Sequence, residues 1–177
     1  MKKLKVNFED IQKAMEDVSR DTFDYFLDLE TGEVITFSEE ILREVETKLS
    51  VDDYEDIEDD IEYIEFDEDP DLPDWMADEV ELALEILFGE DERFIRIPKR
   101  ASSMAYESLF RFIETVEDAS LGKELSSALD GKGAFKRFKD VLLAHPKERK
   151  RWHGYNAKAM KRAIIEWLRS IRIDPIV

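Results

Sequence analysis

Between Thr22 and Phe37 the chain reads TFDYFLDLETGEVITF, and this run has the period of a strand. Tyr25, Leu27 and Leu29 alternate with Asp24, Phe26 and Asp28, and Glu30-Thr31-Gly32 supplies a turn in which glycine takes positive φ without a Cβ clash. The pattern predicts a β-hairpin, Thr22–Leu29 with Glu33–Phe37. A hairpin alone is marginal in water, so the fold must add strands or helices to it. RFIRIP offers a third strand over Phe94–Ile97, closed by Pro98. Nearly everything else recurs at helical spacing. The expected fold is α+β: a small antiparallel sheet, the hairpin plus one or two short strands, packed with helices and followed by an all-helical C-terminal part from about Ala101.

The helical stripes can be placed one by one. Asn7 caps a helix carrying Phe8, Ile11, Met15 and Val18 to about Ser19, and Ser38 caps another with Ile41, Val45 and Leu49. Val51, Tyr54, Ile57, Ile61 and Ile64 step by three and four through the acidic run after Ser50. A helix over Asp74–Phe88 presents Met76, Val80, Ala83, Leu84 and Leu87, with Gly89 placed to end it. Ser102 or Ser103 caps a helix with a broad apolar face that includes Leu109, Phe112, Tyr106 and Phe110. Leu121 to Leu129 form a short helix stopped by Asp130-Gly131, and Phe135, Phe138 and Leu142 point inward from the next, which His145-Pro146 ends. A last helix, capped by Asn156, buries Met160, Ile164, Trp167 and Leu168. Because the joint at Pro98–Ser103 is short, residues 1–177 are expected to form a single compact domain. Its acidic α/β part is 1–100, its helical part 101–177, with a basic end from Lys132.

Charge is distributed as unevenly as structure. The chain has 177 residues and a formal charge of −18, with 26 Lys+Arg against 44 Asp+Glu. From Lys132 onward 13 basic residues face 4 acidic ones, whereas residues 1–131 carry 13 basic and 40 acidic. Either the two parts neutralise each other or one face awaits a charged partner. Amide side chains are scarce, Asn7, Gln12 and Asn156 alone, as in heat-adapted proteins.

Several chemistries are excluded. With no cysteine there is no disulfide, thiol nucleophile, cysteine zinc site or iron–sulfur cluster, and a reducing, cytoplasmic location is expected. MKKLKVNFEDI holds neither a signal-peptide core nor a membrane span. There is no nucleophile elbow and no HExxH, and His145 and His153 are the only imidazoles, so catalysis is not expected and no cofactor is implied. A carboxylate-only, metal-dependent hydrolase is the enzyme reading left open. For a metal the weak candidates are Asp24 and Asp28 on the hairpin and Asp67, Asp69 and Asp71, which match the first positions of a calcium loop but meet Leu72 where glycine is needed.

The basic end holds the other candidates. Gly131-Lys132-Gly133 at a helix start, with Lys136, Arg137 and Lys139, suits a phosphate or carboxylate, although its spacing is not that of a P-loop. The competing reading is a helix–helix turn with Gly131 as C-cap. Lys147, Arg149, Lys150 and Arg151 run into Trp152, His153 and Tyr155, an interleaving that serves single-stranded nucleic acid or an acidic partner surface. Conversely, Asp52, Asp53, Glu55, Asp56, Glu58, Asp59, Asp60 and Glu62 are dense enough to imitate phosphates.

YFLDLETGEVI, GKGAFKRFKD and the Trp-Leu pair of the final helix together resemble the uncharacterised bacterial protein family UPF0158. The resemblance covers most of the chain, with the Gly131–Lys139 run its most specific part, and implies one coherent module and no known activity or functional residue. The functional expectation is therefore a cytoplasmic, non-enzymatic interaction or regulatory protein that binds a protein partner through charged surface. Nucleic-acid binding by the basic end is the alternative, as is mimicry of nucleic acid by the acidic run.

Overall fold

The computed structural model of the chain describes residues 1–17, 20, 22–51, 74–89 and 92–176. The elements run β1 (Lys2–Lys5), α1 (Phe8–Glu16), β2 (Phe23–Asp28), β3 (Val34–Ser38), α2 (Glu39–Val51), α3 (Asp74–Phe88), β4 (Phe94–Arg96), α4 (Ser102–Glu114), α5 (Ala119–Ala128), α6 (Ala134–Leu143), α7 (Pro146–Ser170) and β5 (Ile173–Ile176). The architecture is α+β, a small antiparallel sheet and a helical C-terminal part. Among the described residues no helix is long and apolar enough to cross a membrane. Contacts divide the chain into two compact units, Lys3–Lys99 with Pro175–Val177 and Met1–Lys2 with Arg100–Asp174. They are called here the acidic unit and the helical unit.

In the acidic unit the sheet has the order β3-β2-β4. The hairpin forms with Phe23 opposite Ser38 and Leu27 opposite Val34, and β4 joins the other edge of β2 with Phe26 opposite Arg96 and Asp28 opposite Phe94. Its turn requires glycine twice over: Gly32 has φ 78, and a Cβ there would stand 1.9 Å from the Lys5 carbonyl oxygen. Phe26 and Phe37, edge to face at 5.9 Å, meet Ile41 and Val45 of α2 and Met76, Val80, Ala83 and Leu84 of α3 in one apolar cluster. The Asn7 side chain caps α1 by accepting from the Glu9 and Asp10 amides at 3.0 and 3.3 Å. That helix is shorter than its apolar spacing predicts, because Asp17 is already extended (ψ 115); Val18 and Ser19 lie outside the described residues.

In the helical unit α4–α7 close around Leu109, Phe112, Leu121, Leu125, Phe138, Leu142 and Trp152. Phe112 is the hub, with Phe138, Trp152 and Tyr155 edge-on at 6.1, 5.2 and 5.6 Å. Three expectations need correction here. Ala101, not Ser102 or Ser103, is the N-cap of α4, and it contributes no side-chain bond. Arg100 just before it is held on Asn156 Oδ1 at 3.1 Å. The broad apolar face of α4 is only partly covered, for Phe110 remains 51% exposed. Finally, the last helix does not start at Asn156. α7 is one 25-residue helix with His145 as N-cap and Pro146 in its first turn, and Asn156 is interior to it.

Two strands were not anticipated. Arg172 adopts φ 64, the left-handed conformation that ends α7 and turns the chain into β5. β1 and β5 then form a two-stranded sheet, and the Lys2 amide donates to the Arg172 carbonyl at 3.0 Å.

Candidate functional site

The glycine turn between α5 and α6 is built around a guanidinium. Gly131 and Gly133 both lie in the left-handed region, at φ 75 and 78, and Gly133 is the N-cap of α6. From one turn inside α6, Arg137 folds back over the loop. Its Nε donates to the Ala128 carbonyl at 3.0 Å, and its terminal nitrogens donate to the carbonyls of Asp130, Gly131 and Lys132. A helix C-terminus leaves carbonyls without intrahelical partners and carries partial negative charge, so a cation is stabilised there. Arg137 is thus engaged by backbone and is withdrawn from the set of anion-binding candidates. Lys132, Lys136 and Lys139 are exposed and have no carboxylate partner among the described residues.

The start of α7 sorts its candidates in the same way. Arg151 donates from Nε to Glu148 at 2.9 Å and from Nη1 to Thr115 Oγ1 at 2.6 Å, with its guanidinium 4.6 Å from the Phe112 ring centroid. Trp152 is 4% exposed, packed on Phe112 and Phe138, so it is a core residue and no stacking platform. Tyr155 is half-buried against Phe112 and Trp152. Lys147, Arg149, Lys150 and His153 are exposed, and none of the three cations has an ion pair among the described residues.

Continuity of α7 reveals what a helix broken before Asn156 conceals. Lys147, Lys150, Gly154, Lys158 and Lys161 recur at three- and four-residue steps, so they share the face opposite Trp152, and all five are exposed. α4 and α7 also leave a surface cleft of about 360 Å³. Glu107, Arg111, Arg162 and Glu166 line it, so its charges balance and add no net field.

The hairpin acids Asp24 and Asp28 are engaged by arginines. Asp28 is 4% exposed and takes a two-point pair from Arg93, Nε to Oδ1 at 3.0 Å and Nη2 to Oδ2 at 2.7 Å, plus the Glu30 amide at 2.8 Å. The Arg93 bonds outweigh the effect of burial and hold its pKa down at about 2. Asp24 lies between Arg20 at 3.2 Å and Arg96 at 2.5 Å. Beside each of these weak metal candidates a guanidinium already occupies the place a cation would take. Among the described residues no group of three or more His, Asp or Glu is arranged to hold a metal. Asp67, Asp69 and Asp71, and the run Asp52–Glu62, lie outside the described residues. Near Asp24, Tyr25 donates to Asp17, and burial, reinforced by that bond and the Asp17 charge, pushes the phenol up to about 12.

Fold and surface together define a small α+β protein whose helical unit presents an exposed cationic face on α6 and α7. The chain belongs to the uncharacterised protein family UPF0158, whose family model matches residues 46–177. The match contains the GKGAFKRFKD run and the acidic stretch, and it begins beyond the hairpin. A UPF0158 protein of Pseudomonas aeruginosa is 26% identical over 90 residues, 51% of this chain and 59% of that protein. The matched region therefore spans about 59% of that relative's length. No solved structure matches the chain.

Proposed function

We propose that this is a cytoplasmic, non-enzymatic interaction or regulatory protein that binds an acidic surface of a partner protein through the basic face of α6 and α7. One observation carries the reading: Lys132, Lys136, Lys139, Lys147, Arg149 and Lys150 are exposed without a carboxylate partner among the described residues. In the same unit Arg111 and Arg151 are paired with Glu107 and Glu148. Unpaired like charges on neighbouring helices repel one another, and an opposite charge brought from outside relieves that repulsion and speeds encounter. Trp152 is lost to the core and Tyr155 is half-buried against Phe112 and Trp152, which leaves fewer rings for bases to stack on and favours protein over nucleic acid.

The test is retention of a partner by the immobilised full-length protein at low ionic strength, with nuclease present, followed by a salt series. The expected result is a nuclease-resistant protein partner that elutes as salt rises and is not retained by the Lys147→Glu/Lys150→Glu variant. Equal retention by that variant, or retention that vanishes with nuclease, overturns the reading.

A further inference from the structure

A glycine stands in the middle of α7 without any structural reason among the described residues. Gly154 is the ninth residue of the 25-residue α7, its φ is not positive, and a Cβ built there meets no atom of the described residues within 4 Å. The other glycines at turns and helix ends differ. Gly32, Gly131 and Gly133 have left-handed φ, and a Cβ at Gly89 would stand 2.2 Å from the Glu85 carbonyl oxygen. Glycine in a helix interior is less favourable than alanine, so Gly154 lowers the stability of α7 with no internal compensation.

Its surroundings supply the missing partner. Gly154 is the one bare position in the exposed row Lys147, Lys150, Gly154, Lys158, Lys161, which extends about 21 Å along the helix. A bare backbone lets another main chain approach closely, and the flanking ammonium groups attract carboxylates. Flexible lysines are point charges, each suited to a single carboxylate, and their three- and four-residue steps match the repeat of a facing acidic helix. The row is straight and its steps are those of a helix.

We infer that this row is the docking strip for an acidic α-helix of the partner, crossing α7 at Gly154 with its Asp or Glu residues against Lys147, Lys150 and Lys158. The inference rests on the proposed function and specifies the occupant and the point of closest approach. At that point the chain gives up helix stability for closeness. The same substitution is therefore expected to move stability and binding in opposite directions.

The probe is a stapled, alanine-based helical peptide with Glu at three- and four-residue steps, titrated by fluorescence anisotropy against the full-length protein at low ionic strength. Gly154→Ala is expected to raise Tm by about 2–4 °C. It should weaken the peptide measurably, and Gly154→Leu should weaken it by about tenfold. Gly122→Ala is the matched control, since Gly122 also lies inside a helix with open space around it. That variant should gain stability and bind as the wild type does. If Lys147→Glu/Lys150→Glu loses the peptide while both Gly154 variants bind it like wild type, the docking geometry is overturned and the proposed function stands. If the charge reversal also binds like wild type, the proposed function falls with it. An oligouridylate or DNA duplex of equal charge that binds more tightly than the peptide, through the same lysines, overturns the helical occupant.

Discussion

The two units handle their minority and majority charges in opposite ways. The acidic unit carries 9 Lys+Arg against 34 Asp+Glu, and the helical unit 17 against 10. In the acidic unit cations are scarce, and Arg20, Arg43, Arg93 and Arg96 each hold a carboxylate. Two of those carboxylates, Asp24 and Asp28, sit largely out of solvent on β2. In the helical unit cations are abundant, and stability comes from apolar and aromatic packing, with lysines left over on the surface. The scarce arginines of the acidic unit are thus engaged by carboxylates, whereas Lys132, Lys136, Lys139, Lys147 and Lys150 of the helical unit are exposed with no carboxylate partner among the described residues.

The largest effect belongs to the aromatic core. Phe138 is fully buried between Phe112 and Trp152, so Phe138→Ala leaves a cavity and should cost about 3–5 kcal/mol. Hydrogen exchange then reports on the proposal that residues 1–177 fold as one domain. If they do, amides of β2 and α6 lose protection together. Loss confined to the helical unit, or limited proteolysis that releases a stable, folded 101–177 fragment, would sink the single-domain reading.

Next comes the pair that organises the hairpin. Asp28→Ala removes two charge-assisted bonds and the Glu30 amide contact, and should cost about 2–3 kcal/mol. The pair also has a pH signature. Folding lowers the Asp28 pKa from 3.8 to about 2, so its contribution is complete above about pH 4 and is lost as pH falls toward 2. Urea unfolding at pH 2, 3, 4 and 7 should show a steeper acid loss in the wild type than in Asp28→Ala. Parallel pH curves for the two proteins would mean that Asp28 is not the titrating group.

Asp28 also shows where sequence reading stops. The hairpin and its turn were legible because strand alternation and a glycine turn are local, and the stripe of α3 was legible for the same reason. The burial of Asp28 was not, since its partner Arg93 stands 65 residues away and no local pattern names it. Trp152-His153-Gly154-Tyr155 looked like a break before a capped helix. Instead, packing of Trp152 on Phe112 and Phe138 carries the helix through the glycine, and Asn156 turns to Arg100. With that break assumed, Lys147 and Lys150 could not be aligned with Lys158 and Lys161. The four-residue strands at the chain ends were too short and too charged to announce themselves. Within the candidate site, residue types and the exposure of most lysines were readable. Which arginines are engaged, by Ala128 and Glu148 for example, required the fold.

A smaller and opposite pH effect belongs to Tyr25. Folding raises its pKa from 10.0 to about 12, through burial first and the bond to Asp17 second. The protonated form is the one the fold favours, so this contribution is whole below pH 10 and is lost between pH 10 and 12. Tyr25→Phe should cost about 1 kcal/mol at pH 7 through the lost hydrogen bond. It should also flatten the alkaline limb of the stability curve, and an unchanged limb would assign that limb to other groups.

The smallest expected change is the one that bears most directly on surplus charge. If Lys136 and Lys150 are held by nothing in the chain, replacing either by alanine should alter unfolding free energy by less than about 0.5 kcal/mol, as for ordinary surface sites. Relief of repulsion among neighbouring cations and a slightly better helix propensity for alanine both favour a change toward greater stability. Arg137→Ala, one residue from Lys136, should behave differently. It removes the guanidinium from the Ala128 carbonyl at the end of α5 and from the carbonyls of the glycine turn, and should destabilise by about 1–2 kcal/mol. Thermal melts of the three variants at low and high salt separate the cases: the lysine variants should approach wild type as salt screens the repulsion, while Arg137→Ala stays destabilised. A loss above 1 kcal/mol in Lys150→Ala would place that lysine among the structural cations and end the distinction between engaged and surplus charge on which the contrast stands.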